Sequence, residues 1–148
     1  MKELLFETNN QEGTMLIGER LATLLPNGST LIFYGDLGAG KTTFIRGIGR
    51  GLHIKEVIQS PTFNIMKLYL KGDRPLIHID AYRLADIYTD IGLDEYIGYE
   101  SGLTVIEWPM YIQNLLPREV IKVEINYLSE NNRKIKISGE DKLIEALK

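Results

Sequence analysis

Apolar positions along this chain follow a helical period in some stretches and a strand period in others. Ile17, Leu21, Leu24 and Leu25 share one helical face. Thr8-Asn9-Asn10-Gln11 reads as a capping box ahead of them, and Pro26-Asn27-Gly28 as the stop. A helix is therefore expected up to about Leu25. Leu31-Ile32-Phe33-Tyr34 is a continuous apolar run, the mark of a buried strand. Ile45, Ile48 and Leu52 form the stripe of a second helix over 43–51. Gly47, Gly49 and Gly51 should weaken that helix, and close backbone packing is the physical reason to keep them.

Residues 4–6 read as a short strand. Residues 63–70 and 76–80 pair as a hairpin across the turn at 71–75. Residues 103–108 form another buried strand, stopped by Pro109, with a short helix to about Leu115. Residues 121–128 and 133–138 alternate and predict a terminal hairpin across 129–132. Helices are expected over 86–96 and 141–147. The whole predicts an α/β fold of three layers, with parallel central strands beside antiparallel strands and hairpins.

Composition narrows the function classes. The 148 residues are expected to form a single domain, 1–148. A net charge of −3 without a basic run argues against wholesale nucleic-acid binding. The chain has no cysteine, which excludes disulfides and thiolate metal sites and is compatible with a reducing cytosol. No apolar run approaches the roughly 18 residues of a membrane span, and the start lacks the apolar core of a secretory signal.

The candidate chemistry begins at Gly35-Asp36-Leu37-Gly38-Ala39-Gly40-Lys41-Thr42, a complete G-x-x-x-x-G-K-[ST] phosphate-binding loop. Glycines let successive N–H groups converge on one phosphate. Lys41 supplies charge for the β- and γ-phosphates, and the Thr42 hydroxyl suits Mg²⁺. The apolar strand before and the helical stripe after are the context of a P-loop NTPase-like domain. Catalysis also needs a held metal and an oriented nucleophile. Asp80 ends one buried strand and Glu107 nearly ends another, and ligands of open α/β sheets sit beyond such ends. His78 shares a face with Asp80 and reads as a hydrogen-bonded core histidine before it reads as a base. His53 reads as surface. Trp108 fits the core and a place beside nucleotide or partner equally, and Arg83 fits the site or the surface. No N-K-x-D guanine motif occurs, and Asp80-Ala81-Tyr82-Arg83 lacks a switch glycine, so adenine is favoured by elimination.

Several further segments recur in order: Thr43-Phe44 and Arg46-Gly47 after the loop, Ser60-Pro61-Thr62-Phe63, His78-Ile79-Asp80-Ala81-Tyr82-Arg83-Leu84, Gly92-Leu93-Asp94-Glu95-Tyr96 and Val105-Ile106-Glu107-Trp108-Pro109. With them the chain resembles the TsaE (YjeE) family of small bacterial ATPases from Phe6 to about Arg133. The resemblance implies ATP hydrolysis to ADP in the cytoplasm, supporting formation of threonylcarbamoyladenosine at position 37 of tRNA, with TsaB and TsaD as partners. It implies tRNA contact through that complex, direct contact being left open. It implies that the loop from Asp36 to Thr43 binds nucleotide, that Thr42 and Glu107 hold Mg²⁺, and that Asp80 belongs to the acidic pair at the metal and its waters. Asp80 is favoured for water and Glu107 for metal, with Lys41 completing the catalytic set. It sets Thr8 and Arg133 in regions flanking the adenine, although Thr8 also reads as a cap and Arg133 as hairpin surface. The segment 60–63 resembles a switch that senses the γ-phosphate. Two rival readings are a small-molecule or nucleotide kinase and a non-catalytic, nucleotide-gated binding module. The arginines are spread from Arg20 to Arg133, not clustered as a kinase lid requires, and the paired carboxylates argue against a pure binder.

Overall fold

The structure is a computed structural model that describes residues 1–36, 38–59, 61, 65–85 and 92–148. Strands β1 (Lys2–Thr8), β2 (Thr30–Tyr34), β3 (Met66–Tyr69), β4 (Leu76–Asp80), β5 (Leu103–Glu107), β6 (Ile121–Tyr127) and β7 (Arg133–Gly139) form one sheet in the order β1-β7-β6-β2-β5-β4-β3. The four central strands, β6, β2, β5 and β4, run parallel to one another. Antiparallel pairing adds β7 and β1 at one edge and β3 at the other. Both expected hairpins are present, and the central parallel strands end together, which opens a shared ligand edge.

Alternation along these strands builds two apolar layers. Leu31 and Phe33 of β2 and Val105 of β5 face helices α1 (Gln11–Leu24), α2 (Lys41–Gly51) and α3 (Asp141–Leu147). Phe33 meets Phe44 of α2 edge-on at 5.6 Å between ring centroids. On the opposite face Ile32, Ile77, Ile79 and Ile106 pack under Leu93 and Ile112, which come from 3-10 turns (Leu93–Glu95 and Pro109–Leu115). The short helix expected after Pro109 is therefore a 3-10 segment. Of the helix expected over 86–96, residues 92–96 form a 3-10 turn and its flank, and 86–91 lie outside the described residues.

Two boundaries differ from expectation. Thr8 does not cap α1: it ends β1, and Asn10 is the cap, its Oδ1 accepting from the Gly13 N–H at 2.7 Å. The β1–β7 ladder holds Thr8 in extended backbone opposite Arg133, which pushes the helix start onward. Helix α2 begins at Lys41, not Thr43, because Gly40 in the left-handed region (φ 109°) turns the chain directly into it. The three glycines of α2 do allow close packing. A Cβ on Gly47 would lie 2.8 Å from Met15 Cα, and one on Gly51 2.6 Å from the Glu19 carbonyl oxygen of α1.

Candidate functional site

The phosphate-binding loop leaves the end of β2 and enters α2. Gly35 takes φ 149°, and a Cβ there would meet the Ile125 carbonyl oxygen of β6 at 2.5 Å. The loop is thus pressed onto the neighbouring strand, and only glycine fits. Arg133, at the start of β7, grips it from behind. Its Nε donates to the Ala39 carbonyl (2.8 Å) and Nη2 to that of Gly38 (3.4 Å), while Nη1 donates to the carbonyls of Ser129 (2.7 Å) and Asn132 (2.9 Å). The guanidinium also lies 4.7 Å from the Tyr127 ring centroid.

Beside the loop is a cavity of about 350 Å³, lined by Gly38, Gly40, Lys41, Thr42 and Thr43 on one side and by Asp80, Glu107 and Trp108 on another. Parallel pairing sets Asp80 directly opposite Glu107, and both share the helix-bearing face with His78. The two acids differ in how they are held. Glu107 is buried, and its Oε2 is 2.8 Å from His78 Nε2 on a fully buried ring. Asp80 is half-buried and, among the described residues, accepts only from its own neighbour, the Tyr82 N–H to Oδ1 at 3.0 Å. Burial raises the Asp80 pKa above the usual carboxylate value, reinforced by Glu107 and opposed by the Tyr82 N–H.

Lys41 is buried, and desolvation lowers its pKa, while Glu107, Asp80 and Asp36 pull the other way. Its Nζ stands 4.1 Å from the centroid of the Trp108 ring, a cation–π contact. Trp108 has left-handed backbone (φ 58°, ψ 50°), and its ring contacts the partly exposed rings of Tyr82 and Tyr111. Trp108, left open between core and site, is at the site.

The remaining cavity wall comes from Asn10, Gln11 and Thr14 of α1 and from Glu130, Asn131 and Arg133 near the β6–β7 turn. Apart from Arg133, sequence reasoning missed this wall. Asn10 and Gln11 had signalled only a helix cap, and polar turn residues carry no marker of function. Thr8 itself is buried behind the wall, its hydroxyl 2.8 Å from that of Thr14. Arg83's side chain, Leu37, and Ser60, Thr62 and Phe63 of the switch-like segment lie outside the described residues. His53 is on the surface, 2.6 Å from Asp73.

Among the described residues no three of His, Cys, Asp and Glu converge as a metal cluster. A cation at this cavity would draw on one or two carboxylates, a hydroxyl, phosphate oxygens and water, the donor set that Mg²⁺ prefers. Thr42, Glu107 and Asp80 fit it. No helix among the described residues is long and apolar enough to cross a membrane.

Comparison with known proteins finds relatives along nearly the whole chain. The model of the family "Threonylcarbamoyl adenosine biosynthesis protein TsaE" matches residues 8–135. The tRNA threonylcarbamoyladenosine biosynthesis protein TsaE of Bacillus subtilis is 40% identical over 99% of this chain and 92% of that protein. Its namesake in Treponema pallidum is 36% identical over 88% and 97%. The crystal structure of YdiB from Bacillus subtilis superposes with a TM-score of 0.81 at 35% identity, covering 99% of this chain and 94% of that one.

Proposed function

Because the chain belongs to the TsaE family, a family of tRNA threonylcarbamoyladenosine biosynthesis, we propose that it hydrolyses ATP to drive that modification in the cytoplasm, as the ATPase partner of TsaB and TsaD. The observation that carries the hydrolytic step is the meeting of Lys41, Asp80 and Glu107 around one cavity at the mouth of a phosphate-binding loop. Loop N–H groups and Lys41 offset charge on the β- and γ-phosphates. Thr42 and Glu107 would hold Mg²⁺, which when bound would supply further positive charge against the phosphates. Asp80 orients the attacking water. Its Oδ1 accepts from the Tyr82 N–H, which leaves Oδ2 able to take the water, and burial raises the proton affinity of this carboxylate. Arg133 lies on the far wall of the cavity, on the side assigned to the adenine, and Thr8, opposite it in the ladder, backs that wall through Thr14.

Arg133 has its donors on backbone carbonyls, so it holds the loop instead of reaching a phosphate. No arginine among the described side chains of the cavity wall is free for transition-state charge. Hydrolysis by the isolated chain is therefore slow, and TsaB–TsaD accelerates it; groups supplied in trans account for about 10³–10⁵ in this chemistry.

The test is reconstituted modification of tRNA by TsaB and TsaD, with this chain omitted, wild-type or carrying Lys41→Ala, alongside phosphate release. Lys41→Ala should lower phosphate release at least about 100-fold and modification with it. Unchanged hydrolysis would refute the site, and equal turnover with and without TsaB–TsaD would refute the coupling.

A further inference from the structure

We propose that His78 is a positioning residue for this site, fixing the Glu107 carboxylate through an Nε2–H···Oε2 hydrogen bond. The inference rests on the ATPase reading above and adds a residue to it. The two side chains lie on adjacent parallel strands, on the same face, two residues apart in register: His78 is opposite Val105, and Asp80 opposite Glu107. The 2.8 Å bond therefore runs diagonally across β4 and β5 at the edge where the nucleotide enters. Both groups are buried, at 0% and 5% side-chain exposure, with Glu107 reaching the cavity wall.

Packing alone does not explain a histidine here. Its Nδ1 is buried without a hydrogen-bond partner among the described residues, a cost that leucine or isoleucine in the same slot would avoid. That orphan nitrogen also assigns the tautomer. A hydrogen on Nδ1 would have nothing to donate to, so the hydrogen sits on Nε2, where the carboxylate accepts it. The ring thus gives up one nitrogen to hold one oxygen of Glu107. Among the described residues Asp80 has no such clamp and is held by its own turn. The pair is divided by construction into a fixed carboxylate and an adjustable one. That division suits Glu107 as the ligand whose geometry must not drift and Asp80 as the group that follows a moving water.

The experiment uses the full chain with His78→Leu, which removes the donor, and His78→Gln, whose amide N–H can stand in for Nε2–H. Two readouts are taken. Long-range ¹H–¹⁵N spectra of the nucleotide-free protein report the tautomer of each of the two histidines, and a fluorescent ATP analogue reports the Mg²⁺ concentration needed to tighten nucleotide binding. The buried histidine should show the Nε2–H form, altered in Glu107→Gln. His78→Leu should raise the Mg²⁺ requirement about 10–100-fold, with binding in the absence of Mg²⁺ unchanged, and His78→Gln should recover most of it. A folded His78→Leu protein with the wild-type Mg²⁺ requirement overturns the inference, as does an Nδ1–H tautomer. If His78→Leu does not fold, His78→Asn, whose amide falls short of Glu107, takes its place with the same two outcomes. Wild-type binding and hydrolysis that ignore Mg²⁺ would overturn the ATPase reading and this inference with it; a Mg²⁺-dependent wild type with an indifferent His78→Leu overturns this inference alone.

Discussion

Substituting Gly47 by alanine should destabilise the protein by about 2 kcal/mol, although alanine is the better helix former. The added Cβ would lie 2.8 Å from both Cα and the carbonyl carbon of Met15, and closer still to the carbonyl oxygen. Ordinary contact begins at 3.4 Å, so α1 and α2 must part by at least about 0.6 Å (3.4 minus 2.8). The obstacle is backbone, so no side-chain rotation relieves it. Overpacking of this kind costs about 1–3 kcal/mol, and rigid neighbours favour the upper end. Replacing a helical glycine returns about 1 kcal/mol. The net of about 2 kcal/mol, at a urea slope near 2 kcal/mol per molar, lowers the unfolding midpoint by about 1 M. Gly13→Ala is the control. It sits in the first turn of α1, where the nearest atoms to a new Cβ are side-chain atoms at 3.3–3.6 Å. That variant should be neutral or more stable by up to about 1 kcal/mol. Urea unfolding followed by circular dichroism measures both. A Gly47→Ala midpoint equal to wild type, or an equal fall in Gly13→Ala, would refute the argument that this interface is set by glycine contact.

Asp80→Asn should stabilise the nucleotide-free protein at neutral pH while depressing hydrolysis. The sign follows from the raised folded pKa: the native state holds the Asp80 proton more tightly than the unfolded chain, so stability falls as pH rises from about 3.8 through the raised value. The gain of the variant over wild type should therefore shrink to nothing below that window, and pH-dependent melting that shows the opposite slope would sink the assignment. Arg133→Ala should cost about 2 kcal/mol, because several hydrogen bonds from a charged donor are lost, and it should weaken nucleotide binding in a fluorescence titration. Arg133→Lys should recover little of either, since one ammonium cannot span carbonyls on both the loop and the turn; full rescue by lysine would contradict the clamp.

How much of this was legible in the chain depends on range. The loop, its strand and helix, and both hairpins are written in local pattern, and among the described residues they stand where it put them, apart from the earlier start of α2 at Lys41 and a β3 confined to Met66–Tyr69. Asp80 and Glu107 were legible because strand ends on a parallel sheet have a fixed relation to the ligand edge. Three features were not. Thr8 has the chemistry of a cap, but a seven-residue ladder with β7, about 125 residues away in the chain, fixes it as strand. No local rule carries that distance. His78 was read correctly as hydrogen-bonded, yet its partner is decided by the register of β4 on β5. The polar wall of the cavity comes from a helix start and a hairpin turn, where polar residues are expected for reasons unrelated to a ligand.

The pairing of β1 with β7 alone also governs the order of events during synthesis. The first strand made has no neighbour in the sheet until the last strand leaves the ribosome. Arg133, which clasps the loop, arrives with that same late strand. A nascent chain therefore carries its glycine loop for most of translation without the clasp that secures it. A truncated chain lacking β7 would keep the glycine loop but lose the clasp that holds it.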